Sequence, residues 1–163
     1  MTVDAMEQLY QQVILDHARR PHGRGDLPVE GAEGTGRSHQ VNPTCGDEVT
    51  LEVRVDRSGA TPVVTALRWE GQGCSISQAS VSMLHDLVLG ADLPAVDTVA
   101  ATFRDLLGTR GAGLEDEDAE DLLGDATAFT GVGKFPARIK CALLGWVALT
   151  DALVLSGARE ERS

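Results

Sequence analysis

Positive charge is scarce in this sequence. Its 14 lysines and arginines stand against 25 aspartates and glutamates, giving a formal net charge of -11 and a pI near 4.6. Such a chain is repelled at long range by phosphate backbones and anionic headgroups. This argues against nucleic acid or a membrane surface as partner and leaves basic partners open. Long apolar runs are absent too: no stretch approaches the roughly 20 residues needed to span a bilayer. The start, Met1-Thr2-Val3-Asp4-Ala5-Met6-Glu7, lacks the basic and then apolar pattern of an export signal, so a cytoplasmic location is expected. Cysteine is confined to Cys45, Cys74 and Cys141. An odd number without an export signal suits reduced thiols, used for metal binding or chemistry, better than a disulfide framework. Repeats and low-complexity segments are lacking as well. The 163 residues, 42% of them hydrophobic, therefore read as one domain over 1–163, large enough to bury a core.

Helical spacing of Met6, Leu9, Tyr10, Val13, Ile14 and His17 predicts a helix over 4–19, ended by Pro21, Gly23 and Gly25. A lone histidine on an apolar stripe reads as structural, which is the expectation for His17. Residues 20–34 read as a surface connection and 35–41 as a weak strand in which His39 is solvated. Over 49–55 the alternation is clean, with Val49, Leu51, Val53 and Val55 on one face and Thr50, Glu52 and Arg54 on a wet one. A turn at Ser58-Gly59-Ala60-Thr61-Pro62 leads to a second strand over 63–70, with Val63, Thr65, Leu67 and Trp69 together on one side.

After Gly73 the period becomes 3.6, and Ile76, Ala79, Ser80, Met83, Leu84, Leu87 and Val88 form the core stripe of a helix that stops near Gly90. A further helix over 94–107 is opened by Pro94. Six of the seven residues from Glu115 to Asp121 are acidic, and they read as a solvated helix face or loop. The last helix, over 136–156, carries a stripe of Ile139, Leu143, Trp146, Val147, Thr150, Leu153 and Val154 beside a small-residue strip of Cys141, Gly145, Ala148 and Ala152. The whole is an α+β domain, a small antiparallel sheet packed against several helices.

Each cysteine falls at the edge of one of these elements. Cys45 and Asp47 enter the predicted hairpin and Cys74 leaves it, and the two ends of an antiparallel pair are neighbours in space. Cys74 also starts a helix, where free N–H groups and the helix dipole favour a thiolate. Arg138, three residues before Cys141, shares its side of the last helix, whereas Lys140 is turned about 100° away, toward solvent. Three thiolates and one carboxylate make the four donors of a tetrahedral zinc ion. Gaps of 26 residues between Asp47 and Cys74 and of 66 between Cys74 and Cys141 are not those of a zinc finger, so the fold would have to assemble the site. By spacing alone, scattered cysteines also read as small buried core residues and an aspartate after Cys-Gly as a turn former.

The local motifs add a resemblance. Asn42-Pro43-Thr44-Cys45-Gly46-Asp47, Gly71-Gln72-Gly73-Cys74-Ser75-Ile76-Ser77-Gln78-Ala79-Ser80 and Gly133-Lys134-Phe135-Pro136-Ala137-Arg138-Ile139-Lys140-Cys141 closely resemble the SufU family of iron-sulfur cluster assembly proteins, relatives of the IscU and NifU scaffolds. Tyr10-Gln11-Gln12-Val13-Ile14-Leu15-Asp16-His17 is similar to the family's first helix. Lys140 stands where IscU scaffolds have a histidine, and the longer segment before Cys141 is also nearer SufU.

The resemblance implies an IscU/SufU-like fold and a zinc-dependent sulfurtransferase role in iron-sulfur cluster assembly. In that role, Cys45 takes persulfide sulfur from a SufS-type cysteine desulfurase, and a SufB-containing assembly complex is the recipient. Cys45, Asp47, Cys74 and Cys141 would be the zinc ligands, with Arg138 at the reactive end and Cys45 able to leave the metal. The alternative it implies is an IscU-like scaffold holding an iron-sulfur cluster on the same residues. A purely structural zinc domain is a third reading.

Overall fold

A computed structural model of the chain describes residues 2–25, 34–44 and 46–158, with side chains from residue 7 onward. Most of the expected surface connection (26–33) and Cys45 lie outside the described residues. The elements run α1 (Thr2–Arg19), β1 (Thr35–Asn42), β2 (Asp47–Asp56), β3 (Val63–Gln72), α2 (Ser75–Val88), α3 (Leu93–Gly108), α4 (Glu117–Leu123), a 3-10 segment (Gly124–Lys134) and α5 (Pro136–Leu155). The strands form one antiparallel sheet in the order β1-β2-β3. This is the expected α+β architecture.

Local chemistry sets the boundaries. Asp92 caps α3 by accepting the Ala95 N–H at 2.9 Å, with Pro94 in the first turn. Pro136 opens α5, and its fixed φ and missing N–H suit a first helical position. The acidic run is part helix: Asp116 caps α4 through the Asp118 N–H, leaving the acidic side chains in solvent as expected.

The strand faces depart from simple alternation at two places. Val49, Leu51, Val53 and Val55 are buried as expected, but so is Glu52, at 3% exposure, on the face expected to be wet. Its carboxylate accepts a hydrogen bond from Arg37 Nη2 at 3.2 Å, which makes the burial tolerable. On β3, Val64 is fully buried while Thr65 is exposed, opposite to the expected side. The cause is a bulge: Arg54 pairs with Ala66 and Val55 with Val64, so Thr65 is the extra residue, its hydroxyl donating to the Arg54 carbonyl at 3.2 Å. One inserted residue reverses every side chain beyond it.

Helix α2 is the centre of the molecule, packed against α1, α3, α5 and β3. Its buried surface is wider than the expected stripe and takes in Ser77, Gln78, Val81 and Ser82. The serines are satisfied there: Ser80 Oγ donates to the Ala142 carbonyl and accepts the Trp146 indole N–H at 3.2 Å. Phe103 stacks on Trp146 at 5.0 Å and meets Phe129 edge-on at 5.5 Å, tying α3 and the 3-10 segment to the core.

Helix α5 packs on β1 and β2 with one side and on α2 with another. The small-residue strip is therefore buried, whereas Val147, expected in the core stripe, is 42% exposed and Thr150 also faces solvent. Small residues won because both neighbours come close. A Cβ on Gly145 would lie 2.6 Å from Val81 Cγ2, and one on Gly36 of β1 would lie 1.9 Å from the Ala152 carbonyl. In Gly36→Ala the strand and helix must separate. Overpacking of this kind costs about 1–3 kcal/mol, so thermal unfolding should show a Tm lowered by about 2–12 °C. An unchanged Tm would mean that β1 and α5 are not in this contact.

Candidate metal centre

Three elements deliver side chains to one end of the sheet. Strand β1 ends at Asn42, and the turn into β2 is closed by the Gly46 N–H donating to the Asn42 carbonyl at 2.8 Å. Gly46 has φ +75°, a left-handed conformation that glycine adopts without strain. The Asn42 side chain braces the turn, its Oδ1 accepting the Thr44 N–H at 3.2 Å. Its Nδ2 lies 3.9 Å from Cys141 Sγ, across to α5.

The first residue of β2, Asp47, sits against the exit of β3, because Glu48 pairs with Gln72. Gly73 makes that approach possible: a Cβ there would be 2.2 Å from Asp47 Oδ1 and 2.7 Å from Ser77 Oγ. The next residue, Cys74, is the N-cap of α2. Its N–H donates to Asp47 Oδ1 at 2.9 Å, and its carbonyl accepts from Gln78 N and Ser77 Oγ, both at 3.1 Å. Cys141 is on the second turn of α5, 5% exposed, with Sγ 3.6 Å from the Ala137 carbonyl.

The result is convergence. One oxygen of Asp47 and the sulfurs of Cys74 and Cys141 all lie within 4.8 Å of one another, although 26 and 66 residues separate them in sequence. Cys74 Sγ is 3.8 Å from Asp47 Oδ2. Asp47 is 1% exposed and Cys141 is buried, while Cys74 opens to solvent. Ionised together, a carboxylate and two thiolates this close would repel one another, and burial would enlarge the cost. A divalent cation among them removes it. Two sulfurs and one oxygen also suit zinc in donor type, so the residues fit that ion and a fourth ligand would complete a tetrahedral shell.

The centre borders a cleft of about 600 Å³ whose lining includes Gln11 and Ile14 of α1, Thr44, Cys74, Arg138 and Cys141. Arg138 is exposed at its rim, the guanidinium 5.3 Å over the ring of Phe135, itself 51% exposed. Lys140 is exposed as expected, yet it also lines this cleft, because the cleft wraps around the first turns of α5. His39 lies at the exposed edge, 3.3 Å from Glu48 Oε2. His17 is buried outside this group and hydrogen-bonded to Ser82 and Asp125.

Asn42 and Phe135 did not stand out in sequence reading focused on the cysteines. The signal for Asn42 was available, since an asparagine leading a Pro-Thr turn is an Asx-turn former. Phe135 carried none, because a phenylalanine before a helix reads as core.

Comparison with known proteins shows the family of the chain. The model of the NifU-like N-terminal domain matches residues 9–142. Over 156 residues the chain is 40% identical to the zinc-dependent sulfurtransferase SufU of Bacillus subtilis, covering 96% of this chain and 94% of that protein. It is 37% identical over 153 residues to the iron-sulfur cluster assembly scaffold protein IscU of Streptococcus pyogenes, covering 94% and 87%. Among solved structures it is similar to one from Fervidobacterium islandicum described as an iron-sulfur cluster assembly scaffold protein for the SUF system. That likeness has TM-score 0.66 and 28% identity over 87% of this chain and 94% of the other. The likeness runs from α1 to the last of the converging side chains, and on that extent the chain belongs to the NifU-like N-terminal domain family, to which its SufU and IscU relatives in iron-sulfur cluster assembly point.

Proposed function

We propose that this protein is a zinc-dependent sulfur carrier that takes persulfide sulfur from a SufS-type cysteine desulfurase on Cys45 and hands it to a SufB-containing assembly complex. The observation that carries the reading is the meeting of Asp47, Cys74 and Cys141 beside an open cleft. Asp47, Cys74 and Cys141 would hold the zinc, with Cys45, two residues before Asp47, as fourth ligand. Bound there, zinc keeps its thiols deprotonated at neutral pH and lends its binding energy to folding.

The transfer step is thiol exchange. The Cys45 thiolate attacks the outer sulfur of the desulfurase persulfide; a new S–S bond forms on Cys45, and the partner's cysteine departs as thiolate. No external oxidant or reductant enters. Arg138 at the cleft rim supplies a permanent cation for the anionic sulfur species. The net charge of -11 leaves nucleic acid and anionic membranes as unfavourable partners, and on this reading the work is cytoplasmic.

The test is mass spectrometry of the zinc-loaded protein after incubation with a SufS-type desulfurase and free cysteine. The expected result is the gain of one sulfur on Cys45, lost in Cys45→Ser. Sulfur found only on Cys74 or Cys141 contradicts the assignment. Sulfur transfer lost with zinc retained in Cys45→Ser also separates a carrier from a structural zinc domain. The likeness to a named scaffold supports a second reading, assembly of an iron-sulfur cluster on the same residues. Lys140, a cation at the place of a scaffold histidine, weighs against it. An iron-sulfur absorption band with zinc well below one per chain in aerobically purified protein would favour it.

A further inference from the structure

Three of the four histidines of this chain gather at a place that the cysteine centre does not use. His17 lies near the end of α1, His22 in the loop just after it, and His85 with Asp86 in the last turn of α2. One ring nitrogen of His17, one of His22 and a carboxylate oxygen of Asp86 lie within 4.8 Å of one another. The His17 and His22 rings are 4.8 Å apart, tilted by 55°. Two further groups sit behind these three: Asp125 Oδ2 is 3.0 Å from His17 Nε2, and His85 Nδ1 is 3.1 Å from Asp86 Oδ1.

The positions are held by backbone. His22 donates its N–H to Ser82 Oγ at 2.8 Å, and its carbonyl accepts the indole N–H of Trp69 at 2.8 Å. The Gly23 carbonyl accepts the Trp69 N–H at 3.1 Å, and a Cβ on Gly23 would be 2.3 Å from His85 Cδ2. A loop fastened to β3 and α2 in this way presents His22 to Asp86 at fixed range. Asp86 Oδ2 lies 2.5 Å from His22 Nδ1.

From this we infer that His17, His22 and Asp86 form a second divalent-cation site, independent of the cysteine centre and suited to zinc, cobalt or nickel. Two imidazoles and a carboxylate are borderline donors that these ions accept, with remaining positions left to water. Ligands about 2.1 Å from a tetrahedral ion are about 3.4 Å apart. His22 and Asp86, with side chains 49% and 46% exposed, are free to close the difference, while His17, at 7%, is the fixed ligand. Asp125 on His17 Nε2 is the kind of carboxylate–imidazole contact that orients a metal-binding ring, so the ion would take Nδ1 and replace its 2.7 Å hydrogen bond to Ser82 Oγ.

Cobalt(II) is the probe, added to the full chain already carrying one equivalent of zinc. A second site gives one further equivalent of Co2+ with visible d–d bands and no sulfur-to-cobalt charge-transfer band, because no thiolate is among its ligands. His22→Gln and Asp86→Asn, both at half-exposed positions, should each weaken that equivalent at least tenfold. His39→Gln, which removes the one histidine outside the cluster, should leave it unchanged. Binding that resists both His22→Gln and Asp86→Asn, a charge-transfer band, or no second equivalent at all overturns the site. Each of these readouts is independent of whether Cys45 accepts sulfur.

Discussion

Cys74→Ser should abolish the response of this protein to a zinc chelator. Of the two described cysteines, Cys74 is the exposed one, so exchanging sulfur for oxygen there removes a ligand with little loss of packing. Zinc content after dialysis against a chelator should fall from about one per chain to near zero. Zinc held at 100 to 1,000 times its Kd stabilises a fold by about 2.7 to 4.1 kcal/mol. For a chain of this size that corresponds to a Tm about 5–16 °C lower. The variant should unfold at this lower temperature with or without chelator, while the parent should drop to it only when stripped. Equal melting of stripped and loaded parent protein would refute a metal clamp between the hairpin and α5. Protonation competes with zinc for the same thiolates, so the stabilisation should also fade as pH falls.

Gly73→Ala should damage both the fold and the metal affinity. The added methyl would stand 2.2 Å from Asp47 Oδ1 and 2.7 Å from Ser77 Oγ, so either the carboxylate or the start of α2 must move. The overpacking itself costs about 1–3 kcal/mol. Displacing the groups that orient a ligand typically lowers metal affinity by about 10–100-fold. Competition with a chromophoric chelator would read that affinity, and Gly36→Ala is the control: it crowds Ala152 of α5 at a point six residues along β1 from the Asn42–Asp47 pair, so it should lower Tm with zinc affinity unchanged. If both variants hold zinc as tightly as the parent, the position of Asp47 is not set by Gly73.

Most of the fold was legible because helix periods and strand alternation are local. The failures share a cause, which is that a distant neighbour decided the outcome. The bulge at Thr65 reversed Val64 and Thr65, and a one-residue irregularity leaves no mark on an alternating pattern. Val147 lost its place in the core because Gly145, Ala148 and Ala152 let α2 and the sheet come nearer than a larger side chain allows. The segment Gly124–Lys134 has three glycines and no clear period, yet it winds as a 3-10 helix. Phe129 and Val132 are buried in the core, and the hydroxyls of Thr127 and Thr130 bond carbonyls three residues back.

The convergence of Asp47, Cys74 and Cys141 was readable only through the motifs around them, since nothing in their spacing says that they meet. The histidine cluster had no motif to announce it. Judged one at a time, His17 reads as a packed helix residue, which in part it is.

The order in which the converging side chains occur along the chain bears on biosynthesis. Asp47 and Cys74 leave the ribosome early, but Cys141 follows 67 residues later, a delay of about 3 to 13 s at ordinary rates of translation. Until then the nascent hairpin lacks the Cys141 sulfur, so an ion held there could not tie it to α5. The clamp would close only when α5 docks, and a chain truncated before that helix would never gain it.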